Sequence, residues 1–226
     1  MKRTKLADRI LPDYTKGEEI FNMTSHIVGG GFGVVALVLC IIMAAVKGNA
    51  LGVISSIIYG TTLITLYTMS SVYHGLKPGT GKKVLQVLDH CTIYFLIAGS
   101  YTPILLGPML RTYPVIAWIL MGIVWGCAAL ACTLTAIDLK KYNTLSMFCY
   151  LAMGWCIIFF IKQTFEVMTF PGGALLLTGG IAYTIGAVLY GVGSKIRYMH
   201  SIFHLFILLG SVLHFFAILL YALPIR

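Results

Sequence analysis

Two histidines four residues apart, His200 and His204, stand inside an uncharged run of this 226-residue sequence. On a helix an i,i+4 pair shares one face about one turn apart, the spacing with which one helix presents two imidazoles to a metal ion. A third histidine, His74, closes an earlier uncharged run, with Ser70 one turn before it on the same face. Of the seven acidic residues, only Asp89 falls beyond the start of an apolar stretch, Val84-Leu85-Gln86-Val87-Leu88-Asp89. Three imidazoles and a carboxylate form a donor set that suits zinc. Three histidine ligands leave a fourth tetrahedral position for water, whose pKa zinc lowers to about 7 and which a carboxylate can orient or deprotonate. Asp89 would take that role or bind the metal directly; its plainer reading is an interfacial carboxylate favoured by a helix N-terminus. Ser70 would orient water or a substrate carbonyl, or else bond back to a helix carbonyl.

The elements that must carry these residues follow from composition. Hydrophobic residues make up 59% of the chain and charged residues 10%, with a mean hydropathy of +0.92. A soluble domain carries about 25% charged residues, so a disordered chain, a disulfide scaffold and an ordinary soluble enzyme are excluded. Uncharged runs cover 20–46, 48–76, 90–110, 112–137, 142–161, 167–194 and 198–225. Each reaches the roughly 20 residues that cross about 30 Å of hydrocarbon as a helix. No strand-like alternation interrupts them, and backbone in lipid must satisfy its own hydrogen bonds. The expected fold is therefore all-α and integral to the membrane, with seven transmembrane helices. The spans are expected at about 26–46, 51–73, 85–106, 113–134, 143–161, 173–191 and 200–222. Residues 1–25 would form a cytoplasmic N-terminal segment and 26–226 the transmembrane domain.

The net charge of +9 resolves into a topology label. Twelve basic residues (Lys2, Arg3, Lys5, Arg9, Lys16, Lys77, Lys82, Lys83, Lys140, Lys141, Lys195 and Arg197) fall on one side of the spans. Lys47, Arg111, Lys162 and Arg226 fall on the other. The positive-inside rule then places the N-terminus in the cytoplasm and the C-terminus outside, which requires an odd number of spans. Basic residues at helix ends are held by anionic lipid, so membrane lipids are the expected partners and nucleic acid is not. With this topology the end of span two and the beginnings of spans three and seven are all cytoplasmic. His74, Asp89, His200 and His204 are thereby expected at similar depth.

Other signals are subordinate. Thr15-x-x-Glu18 is a capping-box pattern, with Glu18 and Glu19 in a first turn, and predicts a short cytoplasmic helix leading towards His26. Asp8, Asp13, Glu18 and Glu19 read as solvated groups of the N-terminal segment, and Asp138 and Glu166 as loop acids. Gly29-x-x-x-Gly33 and Gly122-x-x-x-Gly126 would serve helix packing within or between subunits. Gly31-x-Gly33-x-x-Ala36 and Gly79-Thr80-Gly81-Lys82 lack the strand or the earlier glycine that nucleotide motifs require. All six cysteines lie within expected spans and read as packing residues. The first apolar run is too long for the core of a cleavable signal, and Gly48-Asn49-Ala50 is only a weak small-x-small match. His26 would support the site from the first span, and His90 reads as structural or interfacial. His214, about 15 Å deeper than His204, reads either as lining the same cavity or as a neutral core histidine.

Three blocks together resemble the hemolysin III family, the bacterial branch of the progestin and adipoQ receptor superfamily, which includes the adiponectin receptors. They are Ser70-Ser71-Val72-Tyr73-His74; Leu88-Asp89-His90-Cys91-Thr92-Ile93-Tyr94 with Gly99-Ser100-Tyr101-Thr102-Pro103; and His200-Ser201-Ile202-Phe203-His204 with Gly210-Ser211 and His214. Gly17-Glu18-Glu19-Ile20, Asn22 and His26 look like the bacterial branch. The resemblance implies a seven-helix protein of the bacterial plasma membrane with a zinc site near its cytoplasmic face. It implies His74, His200 and His204 as zinc ligands, with Asp89 and Ser70 beside the metal-bound water. It also links the chain to membrane-lipid homeostasis and, through related receptors, to ceramidase-like activity. The loops are too short to receive a protein hormone, so a receptor role is not carried over.

The first functional expectation is a zinc-dependent hydrolase of lipid amide or ester bonds, its substrate at the cytoplasmic headgroup boundary. The second is a zinc-stabilised, non-enzymatic sensor or regulator of membrane fluidity. The third is a cytolysin. A transporter fits less well, because the ionisable groups gather at one face and not at the midplane.

Overall fold

The computed structural model describes residues 4–47, 49–193 and 196–224. Lys2, Arg3, Gly48, Lys195 and Arg226 of the sequence reading lie outside them. Among the described residues all regular structure is helical. The helices are α1 (Lys16–Val46), α2 (Ala50–Gly75), α3 (Thr80–Ile104), α4 (Pro114–Ile137), α5 (Leu139–Trp155), α6 (Ile161–Val192) and α7 (Met199–Ala217). Wider π-type turns extend α3 over Leu105–Met109 and α7 over Ile218–Ala222. Six stretches are long and apolar enough to cross a membrane: Lys16–Val46, Ala50–Gly75, Thr80–Thr112, Pro114–Ile137, Leu139–Val192 and Met199–Ala222.

Local chemistry sets the helix starts. The Thr15 hydroxyl accepts the Glu18 backbone N–H, and the Glu18 carboxylate accepts the Thr15 N–H at 2.8 Å, closing the expected capping box. The helix so begun is not short: α1 runs unbroken from Lys16 to Val46, so no separate cytoplasmic helix precedes the first span. Its glycines Gly29 and Gly33 allow the expected close approach of a neighbour. A Cβ at Gly29 would stand 2.4 Å from the Tyr67 ring, and one at Gly33 would stand 3.0 Å from Ile64, so this pair packs α1 onto α2. Asn49 caps α2 through the Gly52 N–H at 2.9 Å. Pro114 opens α4 at a position where its missing N–H costs nothing. Asp138 is a buried cap of α5 and not a solvated loop acid: it accepts N–H groups from Lys141 at 3.1 Å and Thr4 at 2.7 Å.

Residues 139–192 form one 54-residue helical stretch where the sequence predicts two spans. A straight helix of that length would measure about 80 Å, far beyond the bilayer. It is interrupted by a tight 3-10 segment at Cys156–Phe160 and by Thr169, whose φ of 60° is unhelical for a non-glycine residue. The Trp155 indole donates to the Thr184 hydroxyl at 2.9 Å. Twenty-nine residues separate them in sequence, about 43 Å along a straight helix. The two arms therefore fold back on each other.

The helix α3 is central: 72% of its most apolar window is buried, against 11–44% in the other stretches. On one side of it a core joins α1, α2, α7 and part of α6 through Tyr59, Leu63, Tyr67, Leu96 and Phe215. On the other a second core joins α3, α4 and α5 through Tyr94, Tyr101, Leu120, Val124 and Met153. Large aliphatic and aromatic residues such as Val115, Phe148, Phe159 and Phe170 are exposed, as expected of a surface solvated by lipid. The six cysteines are free; Cys40 and Cys91 are buried, while Cys127 faces outward and is not a packing residue.

Candidate metal centre

His74 ends α2, and His200 and His204 lie in the first two turns of α7. These helices bring the three rings together although 126 residues separate His74 from His200. The His200 Nε2 is 3.4 Å from His74 Nε2 and 3.0 Å from His204 Nε2. Donor atoms of all three lie within 4.8 Å of one another. Tetrahedral ligands with metal–nitrogen bonds of about 2.05 Å are spaced about 3.3 Å apart, and the spacings of His200 to His74 and to His204 are close to that value.

The tautomer of His74 is fixed by a neighbour. Its Nδ1 is 2.6 Å from Glu19 Oε2; a carboxylate accepts, so Nδ1 carries the proton and the Nε2 lone pair faces His200. Glu19 is held in turn by Lys82, whose ammonium lies 2.6 Å from Oε1 and also donates to the Leu76 carbonyl at 2.9 Å. Lys82 is only 3% exposed, because α3 carries it under the end of α2.

Three further contacts surround the trio. His26 stacks face to face on His204 with ring centroids 3.7 Å apart, and neither of its nitrogens has a hydrogen-bond partner. The Ser201 hydroxyl donates to Asn22 Oδ1 at 2.7 Å, and Glu18 Oε1 accepts the Tyr198 N–H at 2.7 Å, tying α1 to the start of α7. Tyr14 stacks on His200 at 4.9 Å, and burial pushes its phenol well above the usual tyrosine range, so it stays neutral. Residues preceding Tyr14 cross the same face: Lys83 donates to the Ala7 carbonyl at 2.6 Å, and Thr4 donates to Asp138.

A cavity of about 150 Å³ opens beside the trio. Its walls include Ser70, Asp89, His26, His200 and His204 at the end near the histidines, with Leu66, Ile93, Leu96 and Ile207 supplying apolar surface. His74 is buried but does not line it. Ser70 interacts with the Asp89 side chain, and Asp89 Oδ2 is 4.0 Å from His90 Nδ1. His90 is more than a spectator: it lines the cavity, donates Nδ1–H to the Gln86 carbonyl at 2.8 Å, and accepts from Tyr190 at 3.2 Å. His214 unites its two expected readings, lining the cavity while donating to the Leu176 carbonyl at 3.1 Å.

Neither Glu19 nor Tyr14 is expected at the site from sequence. Glu19 reads as a solvated N-terminal acid, yet it contacts both His74 and the buried Lys82. A signal was present in the helical row Glu18/Glu19, Asn22 and His26, which recurs every four residues on one side of α1.

An all-helical multi-pass membrane protein with a largely buried group of three histidines is thus the class that fold and site define. The family model described as "Haemolysin-III related" matches residues 14–215, and the chain belongs to that family. It is 37% identical over 211 residues to "Hemolysin-3" of Bacillus cereus, covering 92% of this chain and 93% of that one. It is 37% identical over 212 residues to "Hemolysin-3 homolog" of Bacillus subtilis (strain 168), covering 94% and 98%. Over 172 residues it is 30% identical to "Monocyte to macrophage differentiation factor" of Homo sapiens, covering 73% and 69%.

Proposed function

We propose that the chain is a zinc-dependent hydrolase of lipid amide or ester bonds, with His74, His200 and His204 holding the metal. The observation that carries this reading is that Asp89, Ser70, His200 and His204 share one largely apolar cavity within a membrane protein. Bound there, zinc would supply Lewis acidity, acidifying water and polarising a carbonyl. The chain's own residues supply the rest. Asp89 accepts a proton as general base and returns it to the departing amine or alcohol. Ser70, beside Asp89 in the cavity wall, orients that carboxylate and offers its hydroxyl to a substrate carbonyl. Leu66, Ile93, Leu96 and Ile207 hold the acyl portion and keep bulk water from the reacting bond. An amphiphilic substrate fits such a site, with its headgroup at the histidines and its chain among apolar walls.

In this reading the arms α5 and α6 cross the bilayer separately, giving seven crossings with the N-terminus cytoplasmic. The antiparallel contact of Trp155 with Thr184 and the basic bias of one face support it. The test is metal analysis of purified protein, followed by turnover of a panel of lipid amides and esters by wild type and Asp89→Asn. One zinc per chain with wild-type turnover lost in Asp89→Asn is expected. Zinc retained without turnover on any lipid would overturn the enzyme reading.

That outcome would favour a non-enzymatic sensor or regulator of membrane fluidity, which also has a structural basis. The proposed ligands lie on α2 and α7, so a metal there would pin these two helices together irrespective of turnover. In that case His200→Ala loses stability and function together, whereas Asp89→Asn keeps both. The relatives' name raises a third reading, a cytolysin, which lysis of red cells by the purified protein would favour.

A further inference from the structure

We infer that Glu19 and Lys82 form a positioning pair that sets the metal affinity of the centre through His74. The inference rests on the zinc reading above but concerns residues that no metal would touch. Glu19 accepts the Nδ1 proton of His74 at 2.6 Å, and this selects the tautomer with the Nε2 lone pair free and aimed at His200. Without the carboxylate, His74 could carry its proton on Nε2, which would have to be lost before a metal bound. A carboxylate behind a histidine also fixes the ring's rotation, and loss of such a partner commonly costs 10–100-fold in metal affinity.

Lys82 gives Glu19 its precision. A lone glutamate side chain has several rotamers and would be free to swing into water, since about a fifth of its surface is exposed. The ammonium anchors Oε1 at 2.6 Å while Oε2 bonds His74. Lys82 is itself pinned by the Leu76 carbonyl just beyond the end of α2, so pair and histidine share one rigid corner. The row on α1 extends the same corner towards α7, through Glu18 to the Tyr198 N–H and Asn22 to Ser201. The cytoplasmic end of α1 therefore aligns two helices that each carry ligands.

The experiment measures zinc affinity of the full-length purified protein by competition with a chromophoric chelator, alongside the melting temperature of metal-free protein. For Glu19→Gln, zinc affinity measured well below the variant's own metal-free melting temperature is expected to fall roughly 10–100-fold. Lys82→Gln is expected to give a smaller fall in the same direction. Cobalt bound in place of zinc should show weaker or shifted visible absorption in Glu19→Gln, a readout that loss of packing alone would not move. Wild-type affinity in Glu19→Gln overturns the pair's role while leaving zinc binding intact. Wild-type protein that binds no zinc overturns the metal reading and the pair with it. If Glu19→Gln does not fold, Lys82→Gln decides: unchanged affinity there overturns the inference.

Discussion

The two cores flanking α3 are built from similar apolar material and treat polar groups in opposite ways. In the α4–α5 half, buried hydroxyls close on one another: Tyr94 to Thr135 at 3.0 Å, Thr135 to Ser146 at 3.0 Å, and Tyr101 to the Gly154 carbonyl at 2.8 Å. Those groups are neutral and mutually satisfied, as a low-dielectric interior demands. In the α1–α2–α7 half, Glu19, Lys82 and four histidines gather at one end, and His26 is left with two unpartnered nitrogens. A cluster of that kind is costly in lipid, and functional sites are where such cost is retained. The difference separates polarity that holds a fold from polarity that waits for chemistry.

Substitutions can break that contrast. The largest effect is expected for His204→Ala, which should reduce bound zinc from about one per chain to near zero by metal analysis. In the proposed hydrolase it should also abolish turnover. Next, Asp89→Asn should lower turnover about 10²–10⁴-fold with zinc content unchanged, measured on whichever lipid the wild type cleaves. Across α3 the expectation reverses: Tyr94→Phe should cost about 1 kcal/mol in unfolding equilibria and leave zinc content untouched. A metal loss in Tyr94→Phe would erase the distinction between the halves.

The smallest effect concerns pH at the N-terminal segment. The Thr4 N–H, then the Lys141 N–H and the nearby Arg9 charge, hold the Asp138 carboxyl below the usual carboxylate range, against the upward push of burial. A depressed folded pKa contributes stability that is present above the unfolded value, about 4, and is lost as pH falls through the folded one. The protection of the Thr4 amide against hydrogen exchange, relative to its intrinsic rate at each pH, should therefore fall only below about pH 4 in wild type. In Asp138→Asn it should be low at every pH.

Much of this was legible from sequence because it was local. Apolar run lengths determine where helices can cross, and the i,i+4 spacing of His200 and His204 places two rings on one face before any tertiary contact is known. The hidden parts depend on distance along the chain. Glu19 reaches His74 across 55 residues, and the neighbouring capping box offered a sufficient local explanation for an acid in that turn. Lys82 was counted with the basic residues that label the cytoplasmic side, yet it is buried; a charge census cannot distinguish a lipid-facing ammonium from one enclosed by carbonyls. That 139–192 holds two spans is legible from Lys162 and Glu166, which separate two uncharged runs, but the unhelical residue Thr169 lies inside the second of those runs, where no charge marks it. Asp138 looked like a loop acid because its partner, Thr4, comes from the opposite end of the sequence.

The sequence distance between His74 and the His200/His204 pair also orders events during biosynthesis. A ribosome delivers α1, α2 and α3 long before α7, so the corner of Glu19, Lys82 and His74 can assemble while the other two rings are still unmade. A nascent chain stalled before α7 presents only one of the three proposed ligands, His74, too few to retain a metal tightly. Metal capture would then report that the helix carrying His200 and His204 has been inserted and docked, a built-in signal of completed assembly.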